Sequence, residues 1–266
     1  MTLVSTIRLA KEHNREKSLA IRKEIYCEHH GDVAQSYNNL GLVYSDLGQY
    51  NQAKEYYEKS LAISKEIYGE HHGDVATSYK NLGIVYYTLG KYNQAKEYYE
   101  KSLAISKEIY GEDHGAVAGC YHNLENIYSD LGQYNQAKEY HEKSLAIQKE
   151  IYGEHHNEVA QSYNNLGSVY RSLGQYNQAK EYHDKSLALK REIFGEDHVS
   201  VAKSYFCLGF TYYSLKQYPL SQEFFEKALN IYKKVYGEQH PDVESTYNNL
   251  RLVERKQREL NECCIL

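Results

Sequence analysis

The side chains best equipped for chemistry in this 266-residue chain are thirteen histidines and five cysteines, set among many serines and carboxylates. Such a set could ligate a transition metal, or pair a nucleophilic serine or thiol with an imidazole base. The spacing points away from both. Eleven of the histidines (His29, His30, His71, His72, His114, His155, His156, His198, His240, His141 and His183) return at one fixed interval along the chain. A catalytic constellation needs unique residues converging on one pocket, and a periodic residue is spread along the fold instead. No Cys or carboxylate completes a tetrahedral metal set at the usual spacing. Glycine-rich phosphate loops, H-E-x-x-H and calcium-loop patterns are missing as well. The sequence therefore predicts no catalytic residue, no metal site and no cofactor. Nine histidines fall in loops beside helix N-caps. His141 and His183 stand where other copies carry Tyr57 and Tyr99, so they are expected in the core, each with a local hydrogen bond.

The remaining composition narrows the class. Cys27, Cys120, Cys207, Cys263 and Cys264 are odd in number and irregular in spacing, which fits a reducing compartment better than a disulfide framework. The N-terminal stretch is too short and polar for a signal-peptide core, and no apolar run reaches membrane-spanning length. A cytoplasmic protein is expected. With 31 basic against 36 acidic residues, the chain lacks the surplus of positive charge that nucleic-acid binding draws on. Thirty tyrosines beside five phenylalanines and no tryptophan indicate one segment copied many times.

The elements that must position these residues follow from that copying. Val33, Val75, Val117, Val159, Val201 and Val243 are 42 residues apart, and a Tyr and a Leu recur with them at fixed offsets. Leu47 to Ala76 and Leu89 to Ala118 differ at three of thirty positions, Gln49/Lys91, His71/Asp113 and Asp74/Ala116. Each unit reads as two helices. Val33, Tyr37, Leu40, Val43, Tyr44 and Leu47 form one apolar stripe at three- and four-residue steps. Asp32 is expected to cap that helix, with Gln35 in capping-box position. A second helix after Gly48 is expected to bury Ala53, Tyr57, Leu61, Ile63 and Ile67, and Gly69 to end it as a left-handed residue.

The pattern Tyr37-Leu40-Gly41-Tyr44 followed by Gly48-Tyr50-Ala53-Tyr57-Ser60-Leu61 resembles the tetratricopeptide repeat. The 42-residue unit, the G-E-x-H loop and the N-N-L pair are similar to the repeats of kinesin light chains and nephrocystin-like proteins. The resemblance implies an all-α, right-handed superhelical solenoid of tetratricopeptide hairpins. Residues 1–32 then form a partial repeat with only a second helix, 33–242 five whole repeats, 243–260 a capping helix with a polar outer face, and 261–266 a tail.

By the same resemblance, first helices line a concave groove that holds partner peptides. The groove positions fall two, five, nine and twelve residues after each marker valine. The candidate peptide-binding residues are Gln35, Asn38, Lys80, Tyr87, His122, Asn126, Gln161, Asn164, Arg171, Lys203, Phe206, Phe210, Tyr213, Asn248 and Arg255. Packing positions repeat from copy to copy, and these do not. None is acidic, so acidic or aromatic-acidic segments of a partner protein are the expected ligands, through charge complementarity and amide hydrogen bonding. A non-catalytic adaptor or scaffold is the function implied.

Three departures complete the reading. Glu125 takes the place of Gly41, Gly83, Gly167 and Gly209, where a carboxylate must snorkel outward or spread the helices, making the third repeat the expected weak point. Leu9, Leu19, Ile21 and Ile25 at the front are expected to be partly exposed, which allows self-association as an alternative structural role. Cys263-Cys264-Ile265-Leu266 fits a C-a-a-X prenylation signal at Cys263, with Leu favouring a geranylgeranyl chain. Membrane recruitment is expected only through that lipid.

Overall fold

The computed structural model describes the backbone of residues 3–263 and the side chains of residues 13–260. Among these residues the fold is all-α. The chain divides into two compact units, Met1–Leu131 and Gly132–Leu266, and the division falls within the third repeat, the one that carries Glu125.

The first unit contains α1 (Leu3–Ile25), α2 (Gly31–Asp46), α3 (Tyr50–Tyr68), α4 (Gly73–Thr88), α5 (Tyr92–Tyr110) and α6 (Gly115–Asp130), each packed on the next. Leu40, Tyr44, Ala53, Tyr57, Leu82 and Val85 make one buried cluster across three successive helices and α5 is joined to it through Tyr98. The tyrosine ladder is core, as expected. Tyr44 stacks on Tyr56 and Tyr86 on Tyr98, both at 5.1 Å between ring centres, and Lys59 lies 5.4 Å over the Tyr56 ring. The rings pack on one another, and long cationic side chains cover exposed ring faces.

The second unit contains α7 (Tyr134–Tyr152), α8 (Asn157–Ser172), α9 (Tyr176–Phe194), α10 (Val199–Ser214), α11 (Tyr218–Tyr236) and α12 (Pro241–Cys263), again packed in sequence. Its largest cluster joins Val201, Leu208, Phe225, Ile231, Val243 and Val253. Pro219 sits in the first turn of α11, where a missing N–H costs nothing. The helix α12 runs past residue 260, so Cys263 is helical, while Cys264, Ile265 and Leu266 of the C-C-I-L signal lie outside the described residues. Nothing in the described side chains bears on lipidation at Cys263.

Helix ends depart from the sequence reading. The cap of α2 is His30, whose Nδ1 accepts the Asp32 amide at 3.1 Å; Asp32 is inside the helix, and Gln35 donates to Asn39 rather than closing a capping box. His72, His114, His156, His198 and His240 cap α4, α6, α8, α10 and α12 in the same way. Each caps while stacked on an aromatic residue four positions earlier, as with Tyr68 and His72 at 4.2 Å. The imidazole therefore satisfies an orphan amide and seals the loop. Gly69 ends α3 at φ 81° and ψ 178°, an extended positive-φ conformation that glycine alone adopts readily.

The second helix buries a different set than expected. Ser60 and Ser64 are buried beside Ala53, Tyr57 and Ile63, whereas Ile67 is 39% exposed. Small residues are needed there because the next first helix crosses closely over that face.

Candidate functional site

The position two residues after a marker valine on one first helix faces the fifth position of the preceding one across a narrow cleft. Gln35, Asn38 and Thr77 wall one such cleft in the first unit, between α2 and α4, with Ser60 and Ser64 of α3 as its floor and Asp74 at its side. It is nearly closed, with a volume of about 20 Å³. One repeat later, Thr77, Lys80 and Gly119 wall the corresponding cleft between α4 and α6, floored by Ser102 and Ser106 of α5, and its volume is about 280 Å³.

The fifteen candidate residues are all at least partly exposed. In the first unit Asn38 accepts a hydrogen bond from the buried Asn81 at 2.8 Å, which fixes its amide. Tyr87 donates to Asp130 at 2.5 Å, and that bond, ahead of burial, pushes its phenol up to about 12. His122 and Asn126 are 3.3 Å apart. His122 Nδ1 is also 3.4 Å from the Glu125 carboxylate. Glu125 is buried, its side chain only 5% exposed, so the expected outward snorkelling does not occur.

In the second unit the structure draws three candidates together. Arg171 lies 5.5 Å over Phe210, Phe210 meets Phe206 edge-on at 5.0 Å, and both rings pack on the buried Phe225. Phe206 and Phe210 are thus core walls as much as groove residues. Gln161, Lys203, Asn248 and Arg255 stand exposed. Asn248 lines a separate open recess of about 430 Å³ with Glu238, Gln239, Glu244, Tyr247 and Arg251. Arg255 is held by Glu259 at 3.0 Å, and Tyr213 packs edge-on to Tyr218.

Sequence reasoning missed the residues under the groove. The position 31 residues after each marker valine reads Ser64, Ser106, Gln148, Lys190 and Tyr232, and all but Gln148 are buried. Its variation from copy to copy was the available signal. Lys190 is 5% exposed and donates to Ser204 at 3.1 Å, and burial lowers its pKa to about 8. His141 donates from Nε2 to the Ser162 carbonyl at 2.8 Å, as expected of a core histidine. His183 does not follow; it is fully buried and neither ring nitrogen has a partner. Among the described residues no group of three or more His, Cys, Asp or Glu could hold a metal ion.

The tetratricopeptide repeat family matches the chain at residues 12–66, 32–108, 74–150, 126–192, 158–219 and 200–262. The chain belongs to the tetratricopeptide repeat family. Its fold is similar to that of BtubC (BKLC) from P. vanneervenii, at 23% identity and a TM-score of 0.75 over 88% of this chain and 94% of that one. A putative kinesin light chain from Podosopora anserina with nearly identical TPR-like repeats is 26% identical over 78% of this chain and 98% of its own, with a TM-score of 0.70. YrrB, described as a TPR protein with an unusual peptide-binding site, matches at 18% identity and a TM-score of 0.56 over 86% of this chain and 96% of that one. No curated protein matches the chain. These tetratricopeptide repeats are of the kinesin light chain type, and the fold is that of protein-interaction modules.

Proposed function

We propose that this tetratricopeptide protein is a non-catalytic adaptor or scaffold whose first-helix faces bind short acidic or aromatic-acidic segments of partner proteins. The observation that carries the reading is the pair of clefts between α2, α4 and α6 in the first unit, walled by Gln35, Asn38 and Lys80 among others and floored by second-helix serines. An extended peptide needs donors and acceptors for its backbone, which Asn and Gln supply together. Cationic neighbours select acidic ligands and speed encounter. Fluorescence anisotropy with labelled acidic peptide libraries tests this. Asn164→Ala and Arg171→Ala are expected to weaken binding about three- to tenfold, a cost of about 1 kcal/mol, and Ser45→Ala to leave it unchanged. Equal binding by all three variants and the parent protein would remove the groove assignment.

A second reading has one observation in its favour. Ile21 and Ile25 on α1 are 54% and 66% exposed, an apolar pair that self-association would cover. Sedimentation over a wide concentration range decides it, because a species that stays monomeric throughout leaves this role without support. No helix among the described residues is long and apolar enough to cross a membrane.

A further inference from the structure

The open cleft between α4, α5 and α6 differs from its narrow neighbour through five substitutions in its walls. Moving one repeat along, Gln35 becomes Thr77, Asn38 becomes Lys80, Asp74 becomes Ala116, Thr77 becomes Gly119 and Ser78 becomes Cys120. Three of the five shorten a side chain, and the cleft volume is about 280 against about 20 Å³. A Cβ placed at Gly119 would meet nothing within 4 Å, so the space beside it is open. Two of the substitutions also change charge in the same direction, one adding a cation and one removing a carboxylate. The floor helices α3 and α5 are identical in sequence, so the difference between the two clefts arises in their first-helix walls.

The resulting chemistry is one-sided. Lys80 forms no ion pair with a described residue, and no carboxylate lines the recess. Its floor is formed by Ser106 and by Ser102, whose hydroxyl donates to the Ala76 carbonyl at 2.8 Å. The Cys120 thiol, also in the wall, is kept neutral because burial pushes its pKa up. An ammonium without a counter-ion, in a recess that no carboxylate lines, is matched by an anionic group.

Resting on the peptide-binding reading above, we propose that this recess is the specificity pocket of the groove and takes one anionic side chain of the partner segment. A carboxylate or a phosphorylated serine meets that description equally. The experiment uses the full chain and three short labelled peptide libraries that differ at one fixed central residue: Glu, phosphoserine or Gln. The Glu or phosphoserine library is expected to bind at least about tenfold tighter than the Gln library, and the tighter of the two identifies the anion. Gly119→Gln plants in the recess the side chain that Gln35 and Gln161 carry at this position. Lys80→Asn installs the residue of Asn38 and Asn164. Each is expected to bring the Glu, phosphoserine and Gln libraries to within about twofold of one another. Gly119→Ala, which leaves the recess open, is expected to keep it. Binding without any preference for the anion, or a preference that survives both Gly119→Gln and Lys80→Asn, overturns the pocket alone. Failure of every library to bind overturns the peptide-binding reading and the pocket together.

Discussion

The imidazole of His183 lies against Gly167 so closely that a Cβ there would come within 2.7 Å of Cε1 and Nδ1 of the ring. The same approach joins Gly209 to Phe225, at 2.7 Å, and Gly41 to Tyr57, at 2.5 Å. The helices of a hairpin are thus locked by an aromatic plate set on a bare backbone, and His183 plays the plate while leaving two nitrogens without partners.

Burial, then the charges of Arg171 and Lys190, hold the His183 pKa at about 3, well below its ordinary 6.5. The unfolded chain therefore binds the extra proton across that interval. Stability due to the neutral ring is fully present above about pH 6.5 and is lost as pH falls toward 3, with a slope approaching about 1.4 kcal/mol per pH unit. His183→Phe, which copies Phe225, is expected to flatten this acid limb. It is also expected to add about 1–3 kcal/mol at neutral pH by removing the unpaired polar atoms. Urea unfolding at a series of pH values checks both.

Two glycine-to-alanine changes are expected to act with opposite signs. At Gly41 the new methyl would strike the Tyr57 ring, and the hairpin must spread, costing about 1–3 kcal/mol. At Gly119, mid-helix and facing open space, alanine is expected to stabilise by about 0.5–1 kcal/mol through backbone entropy alone. Chemical denaturation of the two single variants decides between close packing and simple helix propensity as the reason for glycine at each place.

Lys190 sets an alkaline counterpart. Its lowered pKa, about 8 against an ordinary 10.5, arises first from burial, with Cys207 opposing and Lys203 adding to the shift. Between those two values the unfolded chain holds more protons than the folded one, so this group makes stability rise with pH over about 8 to 10.5. Below about pH 8 its desolvation cost is present in full. Lys190→Gln copies Gln148, which accepts from Ser162 in the equivalent pair one repeat earlier. This variant is expected to remove the alkaline rise and to unfold at higher urea at pH 7. A variant whose pH profile overlays that of the parent protein from pH 7 to 10.5 would show that the ammonium is already well solvated.

The sequence by itself determined the repeat, the two helices of each copy and the family, because a 42-residue period makes every local signal appear several times over. Val33, Leu40 and Tyr44 on one stripe and Ala53 and Tyr57 on the next had to meet, since neither helix can bury its apolar face alone. The first-helix positions that vary between copies were also legible, and they are partly exposed, whereas the varying second-helix position of Ser64, Ser106, Lys190 and Tyr232 is buried.

Tertiary structure decided the rest, and in each case the deciding quantity belongs to several helices at once. His30 rather than Asp32 caps α2 because capping depends on the loop dihedral angles, which place the imidazole, and not the carboxylate, against the free amide. Ser60 and Ser64 are buried, and Ile67 is not, because a neighbouring helix crosses one side of α3 and leaves the other open. Lys190 reads as an ordinary surface cation in its own helix, yet α10 covers it. The recess at Gly119 is the space left by what three helices do not fill. A string of residues fixes the size of each side chain, but a void has a size only after the walls have been brought together.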